Sequence, residues 1–559
     1  MKLIIKEYLS LLKESNELDA FIPELLLSMN QITISKAQKG TRQYGVDVAS
    51  VGIDNDGIEK VFLFTVKEGN LGRNDWDGGS VQAVRPSLDE IIDVYIPTHL
   101  QKKYSSLPKK IIVVTGGDLL QNVQQNWSGY TKKNSIKDEI EFDFWGGDEL
   151  AILIENNLFN EHIIPQDLRS KFRKTIALLG DVDYDLRDYY EFLNLILEDE
   201  KLPKKPQKEQ LKSLRLIFLA LNIIYIWSKE ENNLKHSLWA SERTILNIWN
   251  YIHINNLTKK KKFTDIIGKI YFKHMDIVSQ YCEKLAPLMK VENGMSMYGH
   301  SFIQESTILF KQLGILAELG SLFYFTAIMN KSTDYWSYSA NITNLIKEYI
   351  NNHKALYNPV YDEHIIDISL TLFLLSEWKE IKFIDDWIHE LISHIQFAYS
   401  ANEKYFPIDS DNFDDLVDIN LQDVYNKEDY IKTSTLIPIL AQWCIKLGLI
   451  ENYRYIKQIS EEIFENSTLQ IWYPDGDIES YMYTTNAGYK CGYSEAPIKL
   501  PKKPKELAAM MNEIHNTKLV IDITKLSCIE NGIAPLVLIS NRHFRMPMFP
   551  QFWNIKQEI

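Results

Sequence analysis

A chain of 559 residues, 45% hydrophobic and 24% charged, is several times the usual single-domain size, so two or three domains with separate cores are expected. Its net charge of −14 is the wrong sign for a protein whose whole surface binds nucleic acid, so any such contact must be local. Cys282, Cys444, Cys491 and Cys528 stand far apart with no CxxC pair, which argues against a zinc ribbon or a secreted disulfide framework and for reduced thiols in a cytoplasmic protein.

The N-terminus is amphipathic and charged throughout, unlike a signal peptide, and predicts a first helix over 3–13. A second helix over 21–30, a β-hairpin over 45–68 and a helix over 86–95 follow. Then come a buried strand over 110–115, another over 140–145, and a helix from Asp148. That order is an α/β sandwich. Glycine thins out afterwards, with 13 in the first 150 residues and 7 in the next 320, and the architecture is expected to change near Pro165.

Residues 166–470 carry long amphipathic segments with aromatic stripes, as at 214–227, 301–319 and 436–447, and read as an all-helical region. The apolar stretch 214–227 is interrupted by Arg215 and Asn222 and falls short of the roughly 20 residues of a membrane span, so no membrane association is expected. No self-similar repeat of about 34 to 45 residues is present to mark a solenoid. The lysine-rich stretches 201–212 and 259–262 read as solvated loops or helix ends. Residues 471–559 are mixed, with a turn at Trp472-Tyr473-Pro474-Asp475-Gly476 and a strand over 518–523, and predict a small C-terminal cap. The expected domains are therefore 1–165, 166–470 and 471–559.

Chemistry concentrates in the hairpin. Its arms are Gly45-Val46-Asp47-Val48 and Phe64-Thr65-Val66-Lys67-Glu68, joined through the turn Asp54-Asn55-Asp56-Gly57. The apolar pattern puts Val46 and Val48 on one face with Phe64 and Val66, pairs Asp47 with Thr65 across a loop of about five residues, and leaves Asp47, Thr65 and Lys67 on the other face. A carboxylate that holds a divalent cation, beside an ammonium that orients water and balances phosphate charge, is what metal-assisted phosphodiester hydrolysis requires. An ordinary cross-strand salt bridge is the alternative for the same two residues.

These words, in this order, resemble the PD-(D/E)XK superfamily and within it the Mrr-type restriction endonuclease domains. Gly45-Val46-Asp47 matches the family's Gly-x-Asp, and Thr65-Val66-Lys67 matches its strand ending in Glu/Gln-x-Lys. Glu24 matches the acid of the preceding helix. Ile111 to Thr115 and Phe144 to Leu150 match its later core strands, and together the words cover roughly a quarter of the chain. The resemblance implies a restriction-endonuclease-like α/β domain ahead of the helical region and the mixed cap. It implies a Mg²⁺- or Mn²⁺-dependent DNA endonuclease of a restriction or antiviral defence type, acting on DNA that is double-stranded by default, with self-association as a homodimer.

In that picture Asp47, the Val66 carbonyl and Glu24 hold the metal. Lys67 serves the attacking water, and Glu68 and Thr65 complete the catalytic set. Thr65 stands where the family has Glu or Gln, so either Glu68 or Gln43 compensates, or the site has become a surface that binds nucleic acid or protein without cutting. Arg42, Gln43, Arg73, Trp76 and Gln82 are the candidate nucleic-acid contacts. The loop around Arg73 and Trp76 could meet a phosphate and stack on a base, or Trp76 could tuck back onto its domain. The helical region would sense, restrain, oligomerise or hold a protein partner.

Other motifs are weaker. Gly116-Gly117-Asp118 lacks the rest of a phosphate loop and reads as a strand-to-helix turn. His389 and His394 are off helical metal spacing. Residues 541–550 mix cations, apolar anchors and prolines, and read as a segment folded back on the helices.

Overall fold

The computed structural model describes residues 2–10, 12–35, 43–79, 83–157, 166–296, 301–402, 404–422, 425–485, 498–516 and 521–548. The chain forms two compact units, Met1–Ala240 and Ser241–Ile559. The first opens with α1 (Lys2–Ser10) and α2 (Asp19–Ser28), joined through a π-helical turn at Glu14–Leu18, and continues with β1 (Ile32–Ser35), β2 (Val48–Ile53) and β3 (Glu59–Lys67). Next come α3 (Arg73–Asp77), α4 (Val84–Glu90), β4 (Lys109–Thr115), α5 (Gln121–Asn134), β5 (Ile140–Trp145) and α6 (Gly147–Asn157). The helices α7 (Gln166–Leu178), α8 (Arg187–Leu197) and α9 (Gln207–Glu230) complete it. The chain thus has an N-terminal mixed α/β region followed by a largely helical body. Pro165 lies outside the described residues. The unit that holds the sheet continues beyond it to Ala240, because α9 packs on both α7 and α1.

The five strands are ordered β1-β2-β3-β4-β5, antiparallel across the first three and parallel from β3 to β5. β3 and β4 are central and buried on both faces, which is why they read as unbroken apolar runs. On one face Ala49, Val51, Val61, Leu63, Ile111 and Val113 pack with Trp76, Val84, Leu88, Ile91 and Val123. The alternate residues Val48, Phe62, Phe64, Val66, Ile112 and Val114 are equally buried, with the Phe64 and Trp145 rings 5.2 Å apart.

The hairpin has the expected register, Val48 opposite Phe64, and a five-residue connection at 54–58. It departs at one point. The Asp47 amide donates to the Phe64 carbonyl at 2.9 Å, although Phe64 already faces Val48, so two residues oppose one. This β-bulge reverses the alternation, and Val46 joins the Ala49 and Leu63 face instead of the Phe64 face.

The C-terminal ends of β3, β4 and β5 are laced together. Leu71 N donates to Asp118 O at 2.9 Å, Asp118 N to Asn70 Oδ1 at 2.8 Å, and Gly147 N to Gly117 O at 2.7 Å. Gly116 is required here because a Cβ would run into the Leu9 carbonyl, which lets the end of α1 sit directly on the strand ends. Lys6 fixes the same helix by pairing with Asp118 at 3.2 Å and Asp148 at 2.8 Å.

The second unit takes over within α10 (Leu234–Ile254). It contains α11 (Lys261–Met289), α12 (Phe302–Asn330), α13 (Thr333–Asn352), α14 (Ile365–Glu377), α15 (Ile381–Phe397), α16 (Phe413–Leu421), α17 (Leu436–Leu447) and α18 (Ile450–Glu462). It ends with α19 (Pro504–His515), α20 (Ser527–Glu530) and α21 (Pro535–His543). The strand expected over 518–523 is absent where described, since Ile523 opens a 3₁₀ turn at Ile523–Lys525 and 517–520 lie outside the described residues. α9 and α12 are long and apolar enough to cross a membrane by length and composition, yet 72% of the apolar window of each is buried within the fold, as in core helices.

The segment at the end of α21 folds back on this body through buried ion pairs. Arg542 binds Glu318 at 2.5 Å and also meets Glu242, which accepts from His543 Nδ1 at 2.9 Å. Arg545 donates to both Asp367 oxygens at 3.0 and 2.9 Å and pairs with Glu363. Asp367 is fully buried, so Arg545→Ala leaves an enclosed carboxylate without its cation. The expected cost is about 3–5 kcal/mol. Thermal and urea unfolding should show it as an earlier transition, and an unchanged midpoint would show the pair to be dispensable.

Candidate functional site

Both faces of β3 are covered, so its polar chemistry emerges at the strand's two ends, and Lys67 is the last residue at the C-terminal one. The Lys67 ammonium lies 3.8 Å from a Glu14 carboxylate oxygen, and its side chain is 11% exposed. Glu14 opens the π-helical turn, which is closed by Leu18 N donating to Lys13 O at 3.0 Å. Glu17 is engaged at the same turn, accepting from the Lys13 amide at 2.8 Å. Asp47, at the bulge, turns its carboxylate onto β3, and Oδ2 accepts from Val66 N at 2.7 Å. Val66 therefore enters the site through its amide.

Burial pushes the Asp47 pKa up, against the Val66 hydrogen bond and the positive charge of Lys67, while Asp19 adds repulsion. Glu14 is raised by burial too. Lys67 opposes that rise, and Asp47, Glu68 and Asp19 add to it. Four carboxylates thus share one field, with Lys67 as the cation acting on both Asp47 and Glu14. The donor set is all oxygen and carries mutual repulsion that a cation would relieve, which suits a hard divalent ion such as Mg²⁺ or Mn²⁺.

The residues singled out from sequence fare unequally. Asp47 and Lys67 are brought together, and Glu68 is exposed beside them. Glu24 is directed elsewhere, pairing with Arg215 of α9 at 3.4 Å. Thr65 is 1% exposed, and its hydroxyl finds no hydrogen-bond partner among the described residues, so it offers no open ligand position. Gln43 is half-buried and Arg73 is exposed at the start of α3, whereas Arg42 and Gln82 lie outside the described residues. Base stacking by Trp76 is corrected: the ring is 3% exposed and packs edge-on against Trp127 and Tyr130, because a short helix turns it into the sheet's core.

Glu14 and Asp19 escaped the sequence reading. Their signal was a run of acids, Glu14, Glu17 and Asp19, in the break between two amphipathic helices. A second acidic group, Asp54, Asp56 and Glu141, has the spacing of a metal site. The Lys60 ammonium already sits among these carboxylates, 2.8 Å from Asp54 and 2.6 Å from Asp56 and in contact with Glu141, while Lys110 adds a bond to Asp54 at 3.1 Å. This is an ion-pair cluster in which lysine occupies the cation's place.

The chain matches no family model, no curated protein and no solved structure.

Two substitutions separate the structural from the chemical role of Asp47. Asp47→Asn keeps an acceptor for Val66 N and removes the charge. The folded pKa lies above the ordinary 3.8, so the charge carries no penalty below that value and a growing one as pH rises through the folded pKa. Metal-free Asp47→Asn is therefore expected to melt above wild type near neutrality, with the gap closing in acid. Asp47→Ala loses the bond as well and should cost about 1–3 kcal/mol relative to Asn. Melting curves across pH decide this, and an Asn variant less stable than wild type at neutral pH would contradict it. Thr65→Val, which deletes the orphaned hydroxyl at nearly constant shape, should leave the stability unchanged or raise it by up to about 2 kcal/mol, read as an equal or higher melting temperature.

Proposed function

We propose that the N-terminal unit is a divalent-metal-dependent nuclease that hydrolyses phosphodiester bonds in DNA, with Asp47, Glu14 and Lys67 at its centre. The observation that carries the reading is the buried Lys67 held against Glu14 beside an Asp47 whose ionised form is disfavoured by burial and by the charge of Asp19. A purely structural hairpin end has no need of four mutually repelling carboxylates, and such a cluster is costly without a cation. The mixed sheet, with its antiparallel hairpin leading into parallel strands, is consistent with the restriction-endonuclease-like resemblance.

Asp47 and Glu14 would hold the cation, with Asp19 and Glu68 strengthening the negative field around it. The bound ion would lower the pKa of a water ligand and neutralise charge developing on the phosphate. Lys67 supplies a fixed positive charge for a non-bridging phosphate oxygen and a donor that orients the attacking water. Its position is set by β3 behind it and Glu14 in front, so little reorganisation accompanies reaction. The Val66 amide holds Asp47 in one rotamer and leaves its second oxygen for the ion. Restriction or antiviral defence, as the cellular role, rests on the resemblance alone.

A non-catalytic reading is favoured by one feature, the use of Asp47 to satisfy the Val66 amide that the bulge leaves without a ladder partner. Plasmid and linear DNA cleavage with Mg²⁺ or Mn²⁺ separates the two. Wild type should cut, and Asp47→Ala, Lys67→Ala and Glu14→Gln should each lose at least about two orders of magnitude while remaining folded. Glu24→Gln should keep cutting, since Glu24 faces Arg215. A wild type inert on every nucleic acid tried, whose melting temperature does not move with Mg²⁺ or Mn²⁺, would leave Asp47 as a backbone clamp only.

A further inference from the structure

The three cations Lys208, Lys212 and Arg215 of α9 lie at i, i+4 and i+7, within an arc of about 60° of the helix at about 100° per residue. Arg215 is tied to α2 by its 3.4 Å pair with Glu24. Lys208 is exposed and Lys212 half-buried, and among the described residues no carboxylate lies within salt-bridge distance of either ammonium. Burial lowers the Lys212 pKa, and Lys208 and Arg215 lower it further, with Glu209 the one acid opposing them. Three like charges on one stripe, two of them half-buried, repel one another in the free protein. An isolated helix end gains nothing from holding them so.

The stripe belongs to the unit that contains the Asp47 and Lys67 site, and the Arg215–Glu24 pair ties it to α2. Asp19, whose charge acts on both Asp47 and Glu14, begins α2, and Glu24 lies five residues on, about 7.5 Å along the same helix. From Arg215 the lysines run a further ~4.5 and ~10.5 Å along α9. Successive phosphates of one DNA strand advance about 3.4 Å along the duplex axis, so the stripe spans about three of them.

We infer that Lys208 and Lys212, on the face of α9 anchored by Arg215, bind the phosphate backbone of the nucleic acid whose cleavage is proposed above. This rests on the nuclease reading and adds the surface that grips the substrate. An acidic chain can then bind a polyanion locally, because the stripe gathers positive charge on one helix face of the unit that holds the cluster of acids. Phosphate contacts position the duplex and carry no sequence information, so the grip is expected to be independent of sequence.

The test is fluorescence anisotropy of a labelled DNA duplex with the full chain in EDTA, over a series of salt concentrations, for wild type and Lys208→Gln/Lys212→Gln. Each lost phosphate contact should lower the log–log salt slope by about 0.9. The double variant is therefore expected to fall by about 1.8, which is roughly 30-fold in affinity near 0.15 M salt if the curves converge near 1 M. Its melting temperature should equal or exceed wild type, since like-charge repulsion is removed, and this outcome separates ligand contact from a structural role. Lys208→Gln alone, at an exposed position, should lower the slope by about 0.9, half the fall of the double variant. Wild type that binds and cuts, with slope and affinity unchanged in the double variant, overturns this inference and leaves the nuclease reading standing. Wild type that neither binds nor cuts DNA overturns both.

Discussion

Burial of both faces of β3 and β4 is the constraint from which the N-terminal unit follows. A central strand covered on two sides must be apolar throughout its length, so Val61 to Val66 and Ile111 to Val114 have no room for chemistry except where the strands end. The polar groups collect there. Thr115, the last residue of β4, hydrogen-bonds back to Gly69 O, Gly116 admits the end of α1, and Lys67 meets Glu14. Thr65 shows the converse. A hydroxyl one step inside the same strand is enclosed and left without a partner among the described residues.

The electrostatics of the strand end invert those of the nearby ion-pair cluster. Around Lys60 the carboxylates of Asp54 and Asp56 are held below their ordinary pKa, because each accepts directly from an ammonium. Around Lys67 the carboxylates of Asp47 and Glu14 are held above theirs, because burial and mutual repulsion outweigh one cation. The first cluster is satisfied and needs nothing more. The second retains an excess of negative charge around one buried cation, the feature on which the proposed metal site rests.

Much of this unit was legible in sequence because its signals are local. The Asp-Gly turn and the alternation of Val48 with Phe64 set the hairpin register, and the runs at 110–115 and 140–145 mark strands that the structure places within a residue of those limits. What failed depended on contacts made across the fold. The bulge at Asp47 adds one residue without changing any turn signal, so Val46 was assigned to the wrong face. β1 is a four-residue edge strand with an exposed, weakly patterned sequence, too short to register. Glu24 is the acid that the resemblance singles out on the preceding helix, whereas Glu14 lies in a π-helical break where period 3.6 gives no guidance. Only the placement of α9 reveals that Glu24 is already paired.

The same placement changes the meaning of the lysines. In sequence, Lys208 and Lys212 belong to a charge run with no feature to separate them from a solvated helix end. What separates them is helical geometry combined with an ion pair that no local window contains: Arg215 is held to Glu24, so the stripe is tied to α2, the helix that Asp19 opens. Mobile surface lysines average their charge over many orientations and give little directed attraction. A stripe rooted in a packed helix presents its charge from one direction. One unit of an acidic protein thus carries two lysines that meet no carboxylate among the described residues and a group of acids held above their ordinary pKa. Under the nuclease reading proposed above the two features are complementary, the acids serving a metal and the lysines the polyanion on which it would act.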